Sequence, residues 1–164
     1  ADAYTGRLPS ERLAWQKGLY APLSRGDVPA LIAAIRRLFA GIPWRNFTHN
    51  DLPTTEGYYA SVLYAFFTSL NAEIIPEDIS HHGQVDLTVK LADYIYVIEI
   101  KVRRPSGAAP GESSAATNPA LAQIHARNYS AKYRGLPGRG LFELGLVFDS
   151  QDRNLAQADW RAVT

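Results

Sequence analysis

Three ionisable residues in a β-rich stretch are the candidates for chemistry: Asp86, Glu99 and Lys101. Tyr94-Ile95-Tyr96-Val97-Ile98-Glu99-Ile100-Lys101-Val102 reads as a strand, so Val97, Glu99 and Lys101 share one face and Ile98, Ile100 and Val102 the other. If Ala92-Asp93 is a two-residue hairpin turn, residue i of the preceding strand faces residue 185 − i, and Asp86 falls opposite Glu99. Directly opposed side chains have β-carbons about 4.5–5.5 Å apart, where two like charges repel. A shared proton or a cation removes that cost. Two carboxylates suit a hard divalent cation with oxygen ligands. A lysine beside them can stabilise charge developing on a phosphoryl group, or orient an attacking water. A Glu-x-Lys strand alone reads as an exposed face carrying an ion pair; the opposed Asp86 favours a metal site.

Charge distribution points the same way. Residues 51–100 sum to −7 and residues 101–139 to +6, although the whole chain carries only +1. Carboxylates to hold a cation beside arginines to hold an anion is what a metal-dependent enzyme acting on phosphates needs. Ordinary solvated surface charge is the plainer explanation of those sums. The four histidines do not make a second metal centre. His81 and His82 are adjacent and on a strand would point to opposite faces, and His125 is two residues from Gln123 on a helix and so on a different face; all four, His49 included, read as surface or packing residues.

The elements that must position these groups are legible from periodicity. Pro9-Ser10-Glu11 opens a weakly patterned helix. Asp27 caps a clearer one, with Pro29 in its first turn and Leu31, Ile32, Ile35, Leu38 and Phe39 at helical spacing up to Gly41-Ile42-Pro43. Pro53-Thr54-Thr55-Glu56 starts the next, which ends near Asn71. Residues 72–80, 84–91 and 94–102 are then predicted strands. Residues 103–118, rich in Pro, Gly, Ser and Ala, read as a mobile loop beside the site. Asn118-Pro119 caps a third helix running to about Tyr133, Leu141 to Asp149 is a strand, and 153–162 a weaker one. Helices on both sides of a strand block predict an α/β layered domain with a mixed sheet. The expected division is an N-terminal helical segment, residues 1–45, packed on a core domain, residues 46–164.

Composition excludes much. At 164 residues, 46% hydrophobic and 20% charged, the chain fits one globular domain with an accessory piece. It has no cysteine, which removes disulfides, thiolate metal sites and a cysteine nucleophile and fits a reducing, cytoplasmic setting. No apolar run approaches the roughly 18 residues of a membrane span, and no signal peptide is visible. The absence of methionine reads as a piece of a longer protein or a removed start. No Walker-type phosphate loop is present, so this chain is not itself an ATPase.

Gly83-Gln84-Val85-Asp86-Leu87 followed, thirteen residues after the aspartate, by Glu99-Ile100-Lys101 resembles the PD-(D/E)XK nuclease superfamily. More narrowly, the chain resembles the bacterial family in which such a domain follows an AAA-type ATPase domain. The wider pattern is carried by Glu56-Gly57-Tyr58-Tyr59, by Ala120-Leu121-Ala122-Gln123-Ile124 with Tyr129, by Leu144-Gly145-Leu146-Val147-Phe148, and by Arg153 to Trp160; it covers about residues 25–162. The resemblance implies a restriction-endonuclease-like α/β fold and a Mg²⁺- or Mn²⁺-dependent phosphodiesterase acting on nucleic acid, DNA in preference to RNA. It makes Asp86 and Glu99 metal ligands, Lys101 the catalytic lysine and Gln123 a residue that orients water or phosphate. Glu56 is then a further ligand, direct or through water, or simply a first-turn glutamate satisfying its helix dipole. Tyr129 reads as packing. Arg103, Arg104 and the basic edge of 119–139 are expected against the nucleic-acid backbone. Gln84 departs from the pattern, standing where a basic residue commonly precedes the aspartate. The alternative is a non-catalytic nucleic-acid-binding or coupling module of a multidomain AAA-type ATPase protein.

Overall fold

The computed structural model describes residues 18, 20–42, 55–79, 85–103, 118–127, 129–136 and 140–163, with backbone alone at 76–79, 85–86, 127 and 129. Residues 20–25 are helical and lead into α1 (Val28–Ala40). Asp27 caps α1 by accepting the Ala30 N–H at 3.2 Å, and Pro29 occupies its first turn, where a missing N–H costs nothing. α2 (Glu56–Ser69) starts at Thr55, whose hydroxyl accepts the Tyr58 N–H at 3.3 Å, and the chain turns away at Asn71 with φ 61°. β1 (Glu73–Ile79), β2 (Val85–Leu91) and β3 (Tyr94–Arg103) follow. After them come α3 (Pro119–Arg127), a short 3₁₀ helix η1 (Tyr129–Tyr133), β4 (Gly140–Asp149) and β5 (Asn154–Val163).

The five strands form one mixed sheet in sequence order, β1-β2-β3-β4-β5. Only β3 and β4 run parallel. That parallel step needs a crossover, and α3 lies within it. The β2–β3 hairpin closes through Ala92-Asp93, and every pair from Leu91↔Tyr94 to Val85↔Ile100 keeps the register expected from the turn. Ala92 adopts φ 52°, a left-handed conformation that glycine takes more cheaply.

Alternation along β3 splits the core into two layers. Tyr96, Ile98 and Ile100, with Leu144, Leu146 and Phe148 of β4, pack against α1 and α2, where Phe39, Tyr59 and Phe67 are fully buried. Ile95, Val97 and Leu141 face the other way, onto Ile124 of α3 and Tyr133 of η1. Each such aliphatic or aromatic side chain contributes roughly 1.5–3 kcal/mol on full burial. The first layer also takes in Leu23 and α1: the Tyr96 hydroxyl donates to the Leu23 carbonyl, and Arg36 donates to the Leu155 carbonyl at 3.0 Å.

The third helix is shorter than its sequence pattern predicts. It stops at Arg127 and the chain tightens into η1. In a 3₁₀ helix residues three apart share a side. Ser130 and Tyr133 are both buried, the serine hydroxyl donating to Glu143 at 2.7 Å and the tyrosine packing in the second core layer. The predicted loop lies almost wholly outside the described residues, as does the helix expected from Pro9. Arg103 at its start belongs to β3 instead.

Candidate metal centre

Register builds one acidic row across the sheet. Asp78 of β1 pairs with Asp86 of β2, Asp86 with Glu99 of β3, Glu99 with Gly145 of β4, and Gly145 with Asp159 of β5. The first pairing depends on an irregularity between Pro76 and Asp78. Proline is tolerated on an edge strand, and a bulge there shifts the register by one residue. Without it Glu77 would oppose Asp86. Sequence reasoning placed Asp86 against Glu99 and missed Asp78; the acidic pair following Pro76 was the available signal.

Glu99 is fully buried, and among the described residues neither of its carboxylate oxygens has a hydrogen-bond partner. An ionised carboxylate without a partner in such a place is strongly disfavoured. The deficit is two acceptors wide and lies directly opposite a second acidic residue. Oxygen donors of that kind fit a hard divalent cation, so the residues present are compatible with the metal that the sequence implies. Lys101 stands two residues further along the same face and is half-buried. Among the described side chains no group of three or more His, Asp or Glu gathers into a ready-made cluster; Asp78 and Asp86 enter by backbone register alone.

The other residues expected at the site are placed less closely. Gln123 is half-buried on α3, between the buried Ala120 and Ile124, on the sheet face that carries Glu99. It does not donate to Glu99, whose oxygens accept nothing. Glu56 is half-buried at the first position of α2, and α2 packs on the opposite sheet face. One turn later the Tyr59 ring stacks on Phe148 at 4.3 Å, and Phe148 pairs with Val102. Glu56 is therefore carried near the end of the sheet where β3 leaves, and can meet the acidic row only around that end.

The start of α3 is fixed against the row by a contact that sequence reasoning missed. Asn118 caps the helix by accepting the Leu121 N–H at 3.0 Å, and its amide donates to the Gly145 carbonyl at 2.9 Å and to Asp159 at 3.1 Å. A β-carbon on Gly145 would lie 2.7 Å from the Asn118 side-chain oxygen and closer still to the Leu121 backbone. Gly145 is what lets the first turn of α3 rest on β4, one strand from Glu99.

Arg103 is half-exposed and already paired within the sheet. Its guanidinium binds Asp149 through Nε at 3.3 Å and Nη2 at 3.0 Å. Burial pushes the Asp149 carboxyl up, but the Asp152 N–H, the Arg103 guanidinium and the Gln151 N–H together hold it below the usual carboxylate range. Arg103 thus carries its own counter-ion, and Arg104 lies outside the described residues. Tyr58 and Tyr59 are raised mainly by burial, Tyr59 up to about 12, so neither phenol ionises near neutral pH. His125 is exposed on α3, and His49, His81 and His82 lie outside the described residues, as does Gln84. Tyr129 opens η1.

Two residues below the acidic row, on the same face, runs a second polar row: Thr88, Val97, Glu143 and Arg161. Glu143 is 1% exposed, yet one oxygen accepts from Ser130 and the other from Arg161. Thr88 is fully buried, and its hydroxyl has no partner among the described residues.

A sequence profile of the PD-(D/E)XK nuclease superfamily matches residues 54–158, well over half of the chain and including both strands of the acidic hairpin. Among curated proteins, the chain is 33% identical over 139 residues to an uncharacterized protein in the vnfD 5′ region of Azotobacter chroococcum mcd 1. That match covers 84% of this chain and 25% of the relative, so the chain spans about a quarter of that protein's length. No solved structure matches.

Proposed function

The chain belongs to the PD-(D/E)XK nuclease superfamily and has its restriction-endonuclease-like α/β fold, and from that premise we propose that it is an active nuclease, hydrolysing the nucleic-acid backbone with Mg²⁺ or Mn²⁺. The observation that carries the proposal is the buried Glu99 carboxylate, unsatisfied at both oxygens and directly opposed to Asp86. Asp86 and Glu99 hold the cation; Asp78 and Glu56 are the acidic residues able to extend the set from the neighbouring strand and around the end of the sheet. A bound divalent ion there polarises the phosphoryl oxygen and stabilises the leaving oxygen.

The chain's own residues do the rest. Lys101, on the same face as Glu99, stabilises negative charge developing on the phosphoryl group. Gln123 orients water or phosphate from α3, whose first turn Asn118 holds against Gly145. The backbone contacts come from Arg103, half-exposed beside Asp149, and from basic residues of 119–139. DNA is the proposed substrate in preference to RNA. The proposed organisation is a helical segment, residues 1–45, packed on a nuclease domain, residues 46–164, in a cytoplasmic protein that also carries an AAA-type ATPase domain. No helix among the described residues is long and apolar enough to cross a membrane.

A cleavage assay on single- and double-stranded DNA and RNA, with Mg²⁺, Mn²⁺, Ca²⁺ and EDTA lanes, tests this. Cleavage with Mg²⁺ or Mn²⁺ that EDTA stops is expected. Nucleic-acid binding without cleavage under every condition leaves the non-catalytic coupling module instead.

A further inference from the structure

Two polar side chains on one face of the β2–β3 hairpin are both fully buried and both without partners: Glu99, which lacks donors, and Thr88, which has one to give. Their positions are diagonal neighbours. Thr88 pairs with Val97, two residues before Glu99 on β3, and it lies two residues after Asp86 on β2. Diagonal β-carbons on an antiparallel pair are about 7–8 Å apart, and two steps along a strand span about 6.8 Å. Thr88 therefore stands at the third corner of a triangle with the two proposed metal ligands.

The surroundings leave the hydroxyl few other outlets. Its lateral neighbours in register are Ile75 and Val97, which offer no side-chain acceptor. One row below, Lys90 is a donor, its ammonium 5.0 Å from the centre of the Tyr133 ring. Glu143, two strands away in register, is already occupied by Ser130 and Arg161. The Nη2 of Arg161 is also buried without a partner, but β4 lies between it and β3. Acceptors in need of a donor lie one row up, in the Glu99 carboxylate.

We propose that Thr88 is a positioning residue for the metal site: its hydroxyl, a buried donor one row from Glu99, fixes the orientation of that carboxylate opposite Asp86. Groups that orient a metal ligand from behind typically change metal affinity by 10–100-fold when removed. The inference rests on the nuclease reading for its cation but concerns a residue that reading does not assign.

The test is Mn²⁺ binding to the 164-residue chain, read from the paramagnetic resonance signal of free Mn²⁺, beside thermal melting without metal. Thr88→Val preserves shape and removes the hydroxyl; Thr88→Ala removes it with less risk of overpacking; Thr88→Ser restores it. Weakening by about 10-fold or more in the valine and alanine variants, with near wild-type affinity in the serine variant, is expected. Valine and alanine variants that bind Mn²⁺ as tightly as wild type overturn the proposal. A higher melting temperature in the valine variant would then mark the hydroxyl as a plain buried defect. Wild-type protein that binds no Mn²⁺ overturns the metal reading itself, and this is seen before any variant is compared.

Discussion

Glu99 and Glu143 are both glutamates on central strands, both buried, and both on the α3 face of the sheet. Glu143 accepts from the Ser130 hydroxyl and the Arg161 guanidinium, one to each oxygen. Glu99 accepts nothing from the described residues. The fold supplies a serine and an arginine to one buried carboxylate and neither to the other, and the proposed metal site rests on that difference. The difference teaches that burial alone does not identify a site.

The largest effects should fall on the bare side of that comparison. Asp86→Asn keeps shape and removes a charge; it should abolish cleavage while the protein stays folded, and relief of carboxylate repulsion should leave its melting temperature unchanged or higher. Lys101→Ala should lower the rate by about 10²-fold or more with divalent-ion binding largely retained. Parallel cleavage assays and melting curves check both, and an Asp86→Asn variant that still cleaves would erase the distinction between the two carboxylates.

On the satisfied side the sign reverses. Glu143→Ala should leave metal binding unchanged and destabilise the fold by about 2 kcal/mol, since it strands the Ser130 hydroxyl and the partly buried Arg161. The figure is below that of a fully buried pair because the Arg161 side chain is 38% exposed. Denaturant titration gives it directly. Loss of metal binding without loss of stability would mean that Glu143 belongs to the site.

Asp149 is a third acid, also satisfied, and it reports through pH. Its folded pKa lies below the ordinary value of 3.8, so its contribution is present above that value and is lost as pH falls through the lowered one. Asp149→Asn should cost about 1 kcal/mol at neutral pH, and the gap to wild type should close on acidification below the unfolded pKa. A gap that persists well below that range would place the stabilisation elsewhere. The smallest expected change is Ala92→Gly in the hairpin turn, which relieves a positive φ and should raise stability by less than about 1 kcal/mol.

Strand alternation and turn arithmetic were enough to put Asp86 against Glu99, because a two-residue turn leaves no freedom of register. Helix starts were equally legible where one side chain decides them, as at Asp27, Thr55 and Asn118. What local pattern could not reveal depends on pairing across the sheet. Asp78 reaches the acidic row only through an edge-strand irregularity. Arg103 is engaged by an aspartate 46 residues away, on the parallel neighbour. The break after Arg127 follows from Ser130 turning toward Glu143, a partner that helical periodicity does not see. Gly145 looked like one residue of an apolar strand and is the seat of a helix.

The most direct test is calorimetric titration of Mn²⁺ into wild-type protein, Glu99→Gln and Glu143→Gln. If the bare carboxylate is the metal ligand, wild type and Glu143→Gln bind alike and Glu99→Gln shows no binding heat. Equal binding by wild type and Glu99→Gln would contradict it.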